Sequence, residues 1–265
     1  MWSFLYGSNH GKVEIILDNA PARSAALLAE DRVDAALVPV IAYQQIEGVK
    51  LVPDVCVGAK RRVRSVCLAT RGAELSDVRS VSLDLSSKTS VVLTKIIFRE
   101  FLGFEPEWRD AEPHIDSMLE QSDAALLIGD PALAMNAAGG DASMNERAVD
   151  GGTLVHTRVS ARTFDLAELW HHHTGLGFVF AMWMTKRGSC EIDFAAARHE
   201  GVAHIDAISA NYSPEIGLSV EAMRDYLSQN ISYEIDDSMR RGMELYFDLA
   251  KQHCLISENK PLEYI

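Results

Sequence analysis

The chain has 265 residues, of which 48% are hydrophobic and 24% charged, the balance of a globular protein and not of a disordered or fibrous one. Lys and Arg number 25 against 38 Asp and Glu, a formal net charge of −13, which argues against a nucleic-acid binder that works by neutralising phosphates. An anionic small molecule stays open, because a local pocket of N–H groups can oppose the overall field. No stretch approaches the ~18 uninterrupted apolar residues of a membrane span. The start, Met1 to Tyr6, has no basic segment leading into a long apolar one, so no secretory signal is read. Cys56, Cys67, Cys190 and Cys254 are dispersed, without a CxxC, and are expected as reduced thiols of a cytoplasmic protein.

In chain order, Val13 to Leu17 is a short β-branched run, and Pro21 opens an Ala/Leu-rich helix to about Glu30. Asp34 to Val40 is an apolar run of the kind found in a strand covered on both faces. Leu51 to Ala59 and Arg64 to Thr70 are two more extended segments, separated by the basic turn Lys60-Arg-Arg62. Val78 to Asp84 reads as a strand, and Ser86-Ser-Lys-Thr-Ser90 leads into a helix up to Phe101. Ile115 to Gln121 is a short helix and Ala124 to Ile128 a buried strand. Gly139-Gly140 and Gly151-Gly152 bracket a polar stretch expected to be a mobile surface loop. Asp165 to His173 is helical, Phe178 to Thr185 is an apolar strand, and from Cys190 the pattern is mostly helical, ending in Glu234 to Leu255. Repeated β-then-α units predict an α/β fold with mostly parallel sheets and right-handed crossovers.

Two motif imitations are set aside. Gly7-Ser-Asn-His-Gly11-Lys12-Val13 has three residues between its glycines where a phosphate loop has four, and Val follows Lys where Ser or Thr is required. His171, His172 and His173 are adjacent on a helix, so their side chains fan apart and suit a solvated helix end better than a metal.

Asp84 to Ser90 is more informative: a strand runs into a hydroxyl-rich turn that opens a helix. Unsatisfied N–H groups there make a carboxylate or phosphate site, and Ser86, Ser87, Thr89 and Ser90 add neutral donors. Simple N-capping by Ser86 or Ser87 is the competing reading. Ile128-Gly129-Asp130-Pro131 has the same grammar. Gly129 lets a ligand approach the backbone, and Asp130 is a cap first, with an orienting or catalytic role as the alternative. Ser65, after the basic turn, has no GxSxG context and is not a hydrolase serine. Ligands of open α/β sheets sit outside the carboxyl ends of strands, so Pro39, Ser86 and Gly129, each following a strand, are expected to face one crevice.

These residues carry a family resemblance. Asp34-Ala-Ala-Leu-Val-Pro-Val-Ile-Ala-Tyr-Gln44, Leu51-Val-Pro-Asp-Val-Cys-Val-Gly58, Val63-Arg-Ser-Val66, Ser86-Ser-Lys-Thr-Ser90, Leu127-Ile-Gly-Asp-Pro-Ala-Leu133 and Thr174-Gly-Leu-Gly-Phe-Val-Phe-Ala-Met-Trp183 resemble the chorismate dehydratase family of the futalosine route to menaquinone. Asp165-Leu166 followed by Trp170 also fits, and the C-terminal third fits in general character only. The resemblance implies a type 2 periplasmic-binding-protein-like fold, with residues 1–70 plus 184–265 as lobe one and 71–183 as lobe two. The crossing strands are then expected near Leu68–Arg71 and Ala181–Lys186, with the ligand between the lobes.

The implied reaction removes water from chorismate, a dicarboxylate, to give 3-[(1-carboxyvinyl)oxy]benzoate, with no metal and no organic cofactor. By the family's pattern Ser65 aligns with the catalytic serine. Pro39, Ser65, Ser86, Ser87, Thr89, Ser90, Gly129 and Asp130 are the implied substrate contacts. Two departures stand out. Members typically begin with a strand ending in Tyr-Leu-Asn, whose Asn is the other implicated residue, whereas this sequence starts at Met1-Trp2; and Ala22 replaces a common serine. The implied partner is the small dicarboxylate, with neither nucleic acid nor membrane, and a homodimer is compatible. The competing functions are a non-catalytic carboxylate-binding module on the same fold and the related 1,4-dihydroxy-6-naphthoate synthase.

Overall fold

Short apolar runs punctuated by capped helices build two main sheets, beside a two-stranded ribbon. The computed structural model describes residues 1–17, 21–84, 86–137, 143–150 and 153–265. Its first part comprises α1 (Trp2–Leu5), α2 (Pro21–Ala29), β1 (Ala35–Pro39), β2 (Lys50–Ala59) and β3 (Val66–Thr70). The middle comprises β4 (Ser80–Asp84), α3 (Lys88–Ile96), β5 (Glu107–Ala111), α4 (Ile115–Gln121), β6 (Ala124–Ile128) and α5 (Gly129–Ala137). Then follow β7 (Ser143–Asp150), β8 (Thr153–Ser160), β9 (Arg162–Asp165), α6 (Leu166–Thr174) and β10 (Phe178–Thr185). The last part is helical: α7 (Phe194–Ala203), α8 (Ile205–Ile216), α9 (Val220–Asp225) and α10 (Asp237–Gln252).

One sheet has the order β1-β10-β2, and the other β5-β4-β6-β3-β9. The expectation of mostly parallel sheets is corrected. Both pairings of the first sheet are antiparallel. In the second, β4 is parallel to β5 and β6, while β3 runs antiparallel to β6 and β9. The cause is the double passage of the chain: β3 carries it into the second sheet and β10 returns it to the first, each against the direction of its neighbours. Val66–Thr70 belongs to the five-stranded sheet and Phe178–Thr185 to the three-stranded one, so the passages lie at residues 60–65 and 175–177. The expected crossings, Leu68–Arg71 and Ala181–Lys186, fall largely within β3 and β10. A buried apolar strand has the same sequence signature in either sheet, so composition does not mark the crossing.

Three further expectations change. Val13 to Leu17 joins no strand, and Ile16 and Leu17 are exposed. A β-branched run becomes a strand only where a free sheet edge meets it. Here the preceding turn is tied elsewhere: Ser3 Oγ, Ser8 Oγ and the Ser8 N–H all donate to the Glu200 carboxylate on α7, at 2.5, 2.8 and 2.8 Å. The phosphate-loop imitation therefore cradles an anion of the protein's own. The expected polar loop instead holds β7 and β8, paired from Ser143↔Ser160 to Asp150↔Thr153; its bracketing glycine pairs lie outside the described residues. The three histidines fan around the end of α6: the His171 ring nitrogen lies 3.3 Å from the Leu176 carbonyl, and His173 stacks on Phe101.

Cys56 and Cys67 are buried, which pushes both thiols up to about 12 and keeps them protonated. No helix among the described residues is long and apolar enough to cross a membrane.

The two sheets share one apolar core. At its centre Trp170 of α6 is fully buried against Phe178 and donates Nε1–H to the Gly177 carbonyl at 3.2 Å. Helix α10 closes over this passage because Met239, Gly242, Met243, Tyr246, Phe247 and Ala250 recur at helical spacing on its buried face. Gly242 is required there: a Cβ on it would stand 2.0 Å from the Gly177 carbonyl oxygen, a backbone atom that cannot move aside cheaply. Gly242→Ala is expected to lower stability by about 2 kcal/mol through overpacking. Denaturant unfolding should show a lower midpoint at an unchanged slope, and an unchanged midpoint would contradict this packing.

Candidate active site

Register decides which chain segments meet. Strands β4, β6 and β9 run in one direction, and β3 runs against them, with Val66 opposite Ile128 and Cys67 opposite Asp165. The carboxyl ends of β4, β6 and β9 and the start of β3 therefore share one edge of the sheet. Each of those three strand ends leads into a helix, α3, α5 or α6, whose first N–H groups lack intrahelical partners. Three helix starts and Ser65 thus lie along a single line.

At α6 the N–H groups are satisfied internally. The Asp165 carboxylate caps the helix, accepting from Ala167 and Glu168 at 3.0 and 3.1 Å. It also accepts from the backbone of the first crossing, Val63 at 3.1 Å and Arg64 at 2.6 Å. Burial pushes the Asp165 carboxyl above its ordinary value, against the pull of these N–H groups and of the Arg62 guanidinium. Arg64 is held at φ 66°, in the left-handed region, and its carbonyl accepts from Asn136 Nδ2 at 2.6 Å. A non-glycine residue persists there only when its surroundings fix it, and Asp165 and Asn136 fix it from two sides. The next residue is Ser65.

Ser65 is 6% exposed. Its carbonyl accepts from the Gly129 N–H at 2.8 Å, which brings two expected site residues together. Its Oγ accepts from the phenol of Tyr226 at 2.9 Å. Tyr226 opens a π-helical turn, Tyr226–Asn230, in the C-terminal third. Sequence reasoning missed it, because no local pattern distinguishes a tyrosine whose only relevant neighbour lies 161 positions away.

The four hydroxyls at the start of α3 divide. Ser87 is the N-cap, its Oγ accepting from the Ser90 N–H at 3.4 Å and donating to Ser90 Oγ at 2.8 Å. The capping reading holds for Ser87, while Ser86 and Ser87 both remain partly exposed. Thr89 and Ser90 are buried. Thr89 Oγ1 accepts from the Ile41 N–H at 3.4 Å, and the Thr89 carbonyl accepts from the Tyr246 phenol at 3.1 Å. Thr89 thereby joins α3 to the short 3-10 helix Val40–Gln44, which the buried Pro39 caps at the end of β1. Pro39 thus reaches the edge through Ile41 and Thr89.

Gly129 begins α5 at φ 64°, a conformation that glycine adopts freely. Asp130 lies inside the first turn of α5, not at its cap, and is exposed. Its negative charge suits the helix start and reaches the Tyr226 phenol, helping to hold that proton on. A concavity of about 410 Å³ lies between α5 and the start of α4, lined by Pro113, His114, Asp116, Leu127, Pro131 and Met135. It contains none of the expected site residues.

Asp165→Ala is expected to cost roughly 2–4 kcal/mol, since it removes a helix cap and leaves the Val63 and Arg64 donors unpaired. Chemical denaturation measures this, and a wild-type midpoint would contradict the anchoring role.

The sequence profile described as Menaquinone biosynthesis matches residues 2–252. The chorismate dehydratase of Thermus thermophilus is 29% identical over 238 residues, covering 87% of this chain and 84% of that protein. Among solved structures, protein AF1704 from Archaeoglobus fulgidus superposes with a TM-score of 0.64 at 15% identity, over 96% of this chain and 94% of that one. The periplasmic aliphatic sulphonate binding protein SsuA from Escherichia coli does so with a TM-score of 0.56 at 12% identity, over 91% and 81%. At such identities the likeness shows the fold alone, a two-lobed periplasmic-binding-protein-like α/β architecture with a cleft between the lobes, as the sequence predicted. With a profile match across nearly its whole length, the chain belongs to the menaquinone biosynthesis family.

Proposed function

We propose that this protein is a chorismate dehydratase, removing water from chorismate to form 3-[(1-carboxyvinyl)oxy]benzoate. The observation that carries the reading is the placement of Ser65 on the sheet edge that holds the starts of α3 and α5, directly beside the start of α5. The 29% identity to the Thermus enzyme supports it. A dicarboxylate needs two sites of positive potential, and the two helix starts supply them as partial charges without a cationic side chain.

The chemistry follows from the substrate. The proton to be lost sits on the ring carbon bearing the enolpyruvyl ether, and the ring diene conjugates that carbon with the ring carboxylate. As the C–H bond breaks, negative charge grows on that carboxylate. Donors at the start of α3, the Ser86 hydroxyl among them, stabilise the charge more than they stabilise the ground state. The electron pair then expels the neighbouring hydroxyl, and the ring becomes aromatic. Ser65 Oγ–H hydrogen-bonds the departing oxygen.

In this mechanism the enolpyruvyl carboxylate of the substrate takes the proton and passes it to the departing hydroxide, so water leaves and the carboxylate is restored. An ester or amide of that carboxylate should bind but not turn over; normal turnover would contradict this step. Closure of the lobes excludes water and strengthens each contact.

Incubating the protein with chorismate and following the aromatic product by absorbance and mass tests the function directly. Turnover is expected from the wild type, and Ser65→Ala should fold normally yet lose most of it, roughly 100-fold or more in kcat. Binding of chorismate without conversion would favour the carboxylate-binding module and overturn the enzymatic reading. Wild-type turnover in Ser65→Ala would remove the serine from the mechanism.

A further inference from the structure

Ser65 ends the first passage on the side of the five-stranded sheet, whereas Tyr226 lies on the side of the three-stranded one. Ser65 leads into β3 of the five-stranded sheet, and its carbonyl is tied to Gly129 at the start of α5. Tyr226 is anchored to the three-stranded sheet. Just beyond its π-helical turn, Ser232 exchanges backbone hydrogen bonds with Gly58 of β2 at 2.8 and 3.0 Å, and the Tyr233 carbonyl accepts from the Cys56 N–H at 3.1 Å. Asn230 Nδ2 reaches the Arg62 carbonyl at 3.4 Å. The 2.9 Å bond from the phenol to Ser65 Oγ therefore spans the cleft.

A serine hydroxyl has one hydrogen and two acceptor lone pairs. Left alone it rotates, and part of the time its hydrogen points away from any substrate. Accepting from Tyr226 commits one lone pair and leaves the hydrogen to be directed elsewhere. The flanking carbonyls of Arg64 and Ser65 already accept from Asn136 and Gly129, which lowers their pull on that hydrogen.

We propose that Tyr226 is the positioning residue for Ser65: its phenol, donated across the cleft, fixes the serine rotamer whose hydrogen faces the substrate, and does so only when the lobes are this close. The inference rests on Ser65 acting on chorismate as described above. It couples closure to chemistry, because an open cleft would separate Tyr226 from Ser65 and leave the serine unaligned. Burial pushes the Tyr226 phenol above its ordinary value, with Asp130 and Asp165 adding to the shift against the bond to Ser65 and the Arg64 charge. The phenol thus stays protonated and remains a donor.

Steady-state kinetics of the wild type, Tyr226→Phe, Ser65→Ala and the double variant, with chorismate as substrate, test the proposal. Tyr226→Phe removes one oxygen and keeps the ring. It is expected to leave the melting temperature and KM close to wild type, KM within about threefold. Its kcat should fall roughly 10- to 100-fold through misalignment of the serine. In the Ser65→Ala background the same change should have no further effect, because the group it positions is gone. Wild-type kcat in Tyr226→Phe, a loss confined to KM, or losses that multiply in the double variant would overturn it. A wild type inactive on chorismate would contradict the dehydratase reading and this one together, whereas an active wild type with unimpaired Tyr226→Phe would remove Tyr226 alone.

Discussion

A single carboxylate, Asp165, ties the end of β9, the start of α6 and the first crossing between the lobes into one unit. Four N–H groups converge on it, two from the helix and two from the crossing. Its burial raises the cost of ionisation, yet each oxygen is surrounded by donors that only a carboxylate can satisfy together. The left-handed Arg64 exists because of this arrangement, and the direction of Ser65 follows from Arg64. The backbone at Ser65 is thus held from behind by Asp165 and Asn136.

The charge balance gains a physical meaning from this geometry. A chain of net charge −13 is an unpromising receptor for a dianion if attraction depends on the overall field. Helix starts act at short range, and their potential falls off within the first turn. The five-stranded sheet collects the starts of α3 and α5 on one edge. The start of α6 is capped by Asp165.

Much of this was legible in the sequence, for identifiable reasons. Ser86 to Ser90 and Gly129-Asp130 follow apolar runs, so strand, turn and helix start could each be read locally. Ser65 and the two-lobed fold came from motif resemblance, since a lone serine carries no local signal. What escaped was tertiary. The crossings at 60–65 and 175–177 went unread because β3 and β10 are apolar whichever sheet holds them. Glu107–Ala111 went unread because its charged residues hide a strand that pairs only with β4. Tyr226 and Asn136 escaped because their partners are remote in sequence. Asp130 is not the cap that its place before Pro131 suggests, because Gly129 already begins the helix, two residues ahead of the expected start.

In the proposed complex a dicarboxylate is held along the edge shared by α3, α5 and Ser65. A structure of the protein with the reaction product, an unreactive dicarboxylate of nearly the substrate's shape, tests this most directly. One carboxylate is expected within hydrogen-bond distance of Ser86 or Ser87, the other at the first turn of α5, and the ring within reach of Ser65 Oγ. Product seated instead in the concavity beside Pro131 and Met135, with Ser65 bare, would contradict it.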